Sequence, residues 1–369
     1  MKLVTYVLRP EKIDLQPAEL AAGLGPAGLS GRAGALHGDL VIDLPIAFEW
    51  ARSNKPGMLA HELREGPLPD TLLGLLRLSP DFIQSARLVI GALAALSTEK
   101  LLHMEPGLAY PQNQVRLRAP IPEPPSVRDF YAFEQHVKTA RAKRNLDMIP
   151  EWYEIPVFYF SNPAAINGPD DPIAYPKGTE WLDYELEVAC VIGKPGKDIP
   201  VEAAADYIAG YTIMNDWSAR DVQRKEMLMS LGPAKGKDFA TSLGPWLVTP
   251  DELADRRAGL GKTERYEMTM LARVNGQKLS RGNFKDIYYS FPQLIAHAST
   301  NVWLKPGDVI GSGTVGTGCL LELTPPAPTL PADQRPPAPI SYEQLRWLQR
   351  GDVVELEIDG LGVISNAIV

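Results

Sequence analysis

Asp183, Glu185 and Glu187 stand at every second position of residues 181–193 (WLDYELEVACVIG), after which the segment turns continuously apolar. With the two-residue period of a strand, the three carboxylates would share one face, and Tyr184, Leu186 and Val188 the other. Stacked like charges repel unless a cation lies among them. Mg²⁺ and Ca²⁺ suit such a place, because hard cations take oxygen ligands. A solvated acidic edge is the competing reading, and the apolar tail of the segment argues against it.

Five other stretches carry side chains of the right chemistry. His136 can take a proton from water near neutral pH. In a helix running from about Asp129, it lies two turns from Asp129 and on the same face. Equally, it is a helix-surface histidine. Asp216, Arg220 and Gln223 fall at i, i+4 and i+7 of MNDWSARDVQ. This spacing gives a carboxylate for a cation and a row of N–H donors for a substrate oxygen, or simply a helix cap and a surface ion pair. Lys235 and Lys237 sit in the loop GPAKGKDF, where a lysine can stabilise an enolate or carboxylate oxygen; a pair of solvated lysines is the equal alternative. Residues 311–318 (GSGTVGTG) lack the ending of a phosphate loop, so they read as a backbone nest for an organic anion. Glu322, on a strand expected over 319–323, is placed to orient a histidine.

The elements that must position these groups are short. Residues 1–10 and a hairpin ending near Leu44 read as strands, followed by helices within 45–50, 58–65, 69–76 and 81–101. Residues 111–125 form a proline-rich connector with an edge strand at Val115, Leu117 and Ala119. Downstream come strands near 157–160, 206–215, 246–249, 266–274, 309–311 and 353–368, a helix starting at Asp216 or Ser218, a helix over 292–300 and an Asn275-Gly276 turn. The pattern predicts an α+β fold: a small α/β unit over 1–115, then a mixed β-roll over 116–369 interrupted by a Pro-rich excursion at 325–340. His37, His61 and His103 are scattered and read as surface or packing residues.

Composition narrows the function. The chain has 369 residues, 45% of them hydrophobic and 22% charged, and a formal net charge of -8. That balance disfavours nucleic acid or an anionic membrane as partner. No span of about 18 apolar residues is present, and the two cysteines, Cys190 and Cys319, lack metal-site spacing. A reduced, cytoplasmic protein is expected. No nucleophile elbow, zinc-peptidase pair or dinucleotide fingerprint occurs. What remains is a hard cation gripping adjacent oxygens, a histidine base and a cationic wall. Together these suit cleavage of a 1,3-dicarbonyl or 2-oxo acid.

In their order and separation, the stretches RDFY with QH (128–136), LDYELE (182–187), MNDWSARDVQ (214–223), LGP with GK (231–237), SGT (312–314) and LEL (321–323) resemble the fumarylacetoacetate hydrolase family. The resemblance implies Asp129, Glu185, Glu187 and Asp216 as ligands of Mg²⁺ or Ca²⁺, with Mn²⁺ a further candidate, and puts Asp183 outside the ligand set. It implies His136, oriented by Glu322, as the base that activates water. Arg220, Gln223 and Lys237 would hold substrate or stabilise oxygen charge, and Tyr131, Tyr159 and Thr314 would line the cavity. The expected activity is metal-dependent C–C hydrolysis of fumarylacetoacetate or a related 1,3-diketo acid, in a homodimer acting on small oxo or diketo acids. Decarboxylation or isomerisation on the same scaffold is the alternative, and a metal-stabilised binding protein the non-enzymatic one. Asn145 stands where the hydrolases carry a substrate-gripping arginine, with Arg141 and Arg144 nearby.

Overall fold

Two runs of chain are apolar enough to be covered on both sides: Leu186–Ile192 (LEVACVI) and Ile208–Asp216 (IAGYTIMND), every residue of which is buried. They pair antiparallel at the middle of a large mixed sheet. The computed structural model describes residues 1–9, 31–323 and 345–369, so the excursion expected at 325–340 lies outside the described residues. From one edge the sheet runs Ala109–Pro111, Leu40–Asp43, Arg32–His37, Lys2–Leu8, Thr241–Val248, Ile208–Asp216, Leu186–Ile192, Val309–Gly311, Val127–Phe130 and Phe158–Ser161. Side-chain alternation divides it between two cores. Leu186, Val188, Cys190 and Ile213 face a four-stranded antiparallel sheet (Gln277–Asn283, Thr269–Val274, Val353–Ile358, Gly362–Ala367) and the helix Phe291–Ser299. Ala189, Val191, Met214 and Leu247 face the helices Leu44–Asn54, Leu72–Leu78 and Phe82–Leu93. The fold is a mixed α+β fold.

The first 115 residues do not build a sheet of their own. Lys2 and Leu3 pair with Val248 and Leu247, and Val115–Leu117 pairs with Lys2–Leu8, so hydrogen bonding runs unbroken through the expected boundary. That boundary was placed on prolines and composition, and neither reports which strand supplies the missing ladder partner.

Five local expectations are corrected. Residues 127–130 are a strand, paired in parallel with Val309–Gly311, and the helix spans only Glu134–Ala142. Asp129 and His136 therefore come from different elements. Residues 181–193 are broken at Tyr184-Glu185 into Leu182–Asp183 and Leu186–Ile192. Asp216 ends a strand, and the helix begins at Arg220. Residues 320–323 form a helical turn rather than a strand, and the Asp183 carboxylate caps it by accepting the N–H groups of Leu320 and Leu321. The helix expected over 81–101 ends at Leu93, and a capped second one starts at Thr98.

Because both parts of the chain share one sheet, Leu247→Ala should lower the unfolding free energy by about 2–5 kcal/mol in a single transition. The exposed-face change Leu88→Ala should cost less than about 0.5 kcal/mol. Urea denaturation followed by fluorescence and circular dichroism checks both; two separate transitions would show that residues 1–115 fold independently.

Candidate metal and acid–base site

Asp129, Glu187 and Asp216 project from the same face of the large sheet that carries Val127, Ala189 and Met214. Asp129 is separated from Glu187 by the strand Val309–Gly311, a spread of about 10 Å between backbones. Their carboxylates still meet, because the intervening residue is Gly311. A Cβ there would lie 2.5 Å from Asp129 Oδ1 and 3.0 Å from Met214 Sδ. Glu185 joins them from the break after Asp183, where Asn215 Oδ1 accepts its backbone N–H at 2.9 Å. One carboxylate oxygen from each of Asp129, Glu185, Glu187 and Asp216 lies within 4.8 Å of the others, and all four residues are buried.

Buried carboxylates this close must be compensated. Desolvation, then the charge of its neighbours, pushes Asp129 and Glu187 well above the usual carboxylate range, and these two hydrogen-bond each other. Desolvation also raises Asp216, against the pull of Lys237. Glu185 goes the other way: burial pushes it up, but Arg220 and Lys237 outweigh burial and hold it low. Lys237 is itself buried and bridges Glu185 Oε2, at 2.5 Å, to Asp216. Arg220 donates through Nε to Asp183 at 2.8 Å and through Nη2 to Glu185 at 2.7 Å. Two cations thus face five buried carboxyls, and Asp216 Oδ1 is buried with no hydrogen bond at all. An all-oxygen donor set with uncompensated negative charge and an orphaned oxygen fits a hard divalent cation.

His136, from the helix Glu134–Ala142, adjoins this cluster closely enough to lower Glu185 electrostatically. Its Nδ1 lies 2.7 Å from Glu322 Oε1. Only 4% of His136 and 6% of Glu322 is exposed. The second oxygen of Glu322 accepts the Thr317 N–H at 3.0 Å. Thr317 adopts φ 68°, a costly region for a β-branched residue, so the loop is held in a strained shape at the point where it fixes the dyad. With Nδ1 tied to a carboxylate, Nε2 is the nitrogen left to accept a proton.

The remaining candidates lie around these two centres. Tyr159 donates its hydroxyl to Asp216 at 2.6 Å, and Thr314 Oγ1 lies 3.4 Å from Glu187 Oε1. The Tyr131 ring meets His136 edge-on at 5.4 Å. Arg220 Nη1 donates to Gln223 Oε1 at 3.2 Å, which directs the amide nitrogen of Gln223 elsewhere. The glycine loop over 311–318 is not an open anion nest. The Gly313 N–H serves the protein's own Asp129 and Glu187, at 3.2 and 3.1 Å. Sequence reasoning missed Asn215, Thr317 and the role of Asp183. Asp183 stands outside the four-carboxylate group and joins Arg220 to the turn that carries Glu322.

Residues 126–369 match the family described as Fumarylacetoacetate (FAA) hydrolase C-terminal. The mitochondrial oxaloacetate tautomerase fahd2 of Xenopus laevis is 36% identical over 214 residues, 58% of this chain and 58% of that one. The fumarylacetoacetase of Arabidopsis thaliana is 33% identical over 243 residues, 53% of this chain and 57% of its own length. The chain thus spans rather less than two thirds of these relatives. A crystal structure of maleylpyruvate hydrolase from Sphingobium sp. SYK-6, in complex with manganese(II) and pyruvate, shares the fold. Its TM-score is 0.61 at 21% identity, covering 100% of this chain and 99% of that one. No helix among the described residues is long and apolar enough to cross a membrane.

Without a cation, Asp129 and Glu187, both pushed well up, hold protons that the unfolded chain releases near pH 4. The folded state therefore binds more protons than the unfolded, and stability in chelator should fall as pH rises from about 5 to 8. Saturating Mg²⁺ or Ca²⁺ should restore it at the upper end, and Glu187→Gln should flatten the slope. Urea midpoints across that range measure this; a midpoint that rises with pH in chelator would contradict the charge assignment.

Proposed function

The chain belongs to the fumarylacetoacetate hydrolase family, and within it we propose that its reaction is the hydrolysis of a carbon–carbon bond in a 1,3-diketo acid of the acylpyruvate or fumarylacetoacetate type. The observation that carries this reading is the buried His136–Glu322 pair, 2.7 Å apart, beside the four-carboxylate cluster. A proton-taking group with its own orienting carboxylate is what activation of water requires.

Asp129, Glu185, Glu187 and Asp216 would hold Mg²⁺, Ca²⁺ or Mn²⁺. The ion, when bound, would draw charge from two adjacent oxygens of the diketo acid and favour its enolate form. His136 Nε2 takes a proton from water, and Glu322 stabilises the resulting imidazolium. The water oxygen bonds to the carbonyl carbon remote from the substrate carboxylate, and the bond from that carbon to the central methylene breaks. Its electron pair passes into the enolate of the 2-oxo acid, and the proton on His136 returns to that methylene carbon. The products are a carboxylic acid and a 2-oxo acid. Lys237, with Arg220 holding Gln223, provides the positive wall against which oxygen charge develops. Tyr131 packs on the histidine and keeps bulk water from its face. The same reading takes the family's homodimer and a cytoplasmic setting.

Transfer of a proton between carbon and oxygen of a 2-oxo diacid is the second reading, favoured by the similarity to a relative named oxaloacetate tautomerase. The two part at the dyad. His136→Ala should lower kcat for hydrolysis by about 10²–10⁴-fold while divalent-ion binding is retained. A panel of acylpyruvates, fumarylacetoacetate and oxaloacetate, assayed with each ion and with products identified, tests the proposal. Turnover of oxaloacetate alone, or full activity in the His136 variant, would reject hydrolysis.

A further inference from the structure

Three ligand-type atoms meet at the Nδ1 edge of His136. They are His136 Nδ1, Glu322 Oε1 and Cys319 Sγ, and they lie within 4.8 Å of one another. Cys319 Sγ is 3.6 Å from Glu322 Oε1 and 4.0 Å from His136 Nδ1, and the nitrogen and oxygen are 2.7 Å apart. Tetrahedral zinc, with bonds near 2.0–2.3 Å, needs such atoms about 3.3–3.6 Å apart. Each separation therefore differs from that requirement by less than an ångström. Cys319 does not drift, because the next two residues are pinned by Asp183 at 2.7 and 3.0 Å. A cleft of about 400 Å³, lined by Gln135, Arg281, Gly316 and Thr317, opens beside the loop whose Thr317 N–H holds Glu322.

We propose that Cys319, His136 and Glu322 form a second metal site, selective for a soft or borderline cation such as Zn²⁺, whose occupation switches the enzyme off. The all-oxygen cluster suits hard ions, whereas a sulfur–nitrogen–oxygen set is the ligand chemistry of zinc and cobalt. Binding expels the thiol proton to solvent. It also takes the Nδ1 lone pair, so the single proton of the neutral ring moves to Nε2. A histidine in that tautomer cannot accept a proton from water, and the carboxylate that would stabilise the imidazolium is itself a ligand. Only this inhibitory consequence rests on the hydrolytic reading; the site itself does not.

The experiment uses the full chain saturated with Mg²⁺, so that the carboxylate cluster is filled, and adds Co²⁺ as spectroscopic probe and Zn²⁺ as inhibitor. One equivalent of Co²⁺ should produce a thiolate-to-cobalt charge-transfer band, absent in Cys319→Ser. Cys190 remains in that variant as a control, since it stands in no such group among the described residues. Zn²⁺ should abolish turnover of whichever oxo acid the enzyme accepts, and Cys319→Ser should need at least tenfold more Zn²⁺ while keeping its activity in Mg²⁺ alone. Absence of the band in the unmodified protein would overturn the site whether or not the variant folds. A band that survives Cys319→Ser would overturn it as well. A Cys319-dependent band without inhibition would instead retain the site and reject His136 as the base.

Discussion

Everything at the centre of this protein follows from forcing carboxylates together where water cannot screen them. Asp129, Glu187 and Asp216 come from three strands and Glu185 from the break just before the second of them, and each buried negative charge raises the cost of the next. Two internal cations, Lys237 and Arg220, offset part of that cost. The remainder shows as carboxyls that hold protons and an Asp216 oxygen with nothing to bond. A divalent ion answers both, and no hydrophobic substitute of similar volume would need the surrounding framework. That framework is correspondingly exact about space: a Cβ at Gly311 would lie 2.5 Å from Asp129 Oδ1, so a side chain there would displace that carboxylate.

The second centre is built by a different device. Asp183 accepts from Arg220 on one side and from two backbone N–H groups of the turn carrying Glu322 on the other. One carboxylate thereby couples the guanidinium that steadies Glu185 to the residue that orients His136. The strained Thr317 completes the hold on Glu322. Strain and buried charge both reduce stability locally, and the two apolar cores on either face of the sheet compensate for it.

Much of the site was legible in the sequence because its residue types are improbable where they stand. Alternating acids entering an apolar run, lysines in a glycine-bearing loop and an aspartate closing a hydrophobic strand all demand a reason. The misread elements share one cause. Val127–Phe130 is a strand because Val309–Gly311, some 180 residues away in sequence, pairs with it in parallel; the local pattern alone suits a helix start equally well. Residues 320–323 coil with Asp183 as their cap, while their composition suits a strand. The continuity of the sheet across residue 115 was invisible for the same reason. Contacts distant in sequence leave no local periodicity to read.

The central claim is that these four carboxylates converge on a single divalent ion. Crystals grown with Mn²⁺ and measured at the manganese edge test it directly. The account predicts one strong anomalous peak bounded by oxygens of Asp129, Glu185, Glu187 and Asp216. A peak elsewhere, or a fully occupied protein in which those carboxylates remain bonded only to one another and to Lys237, would contradict it.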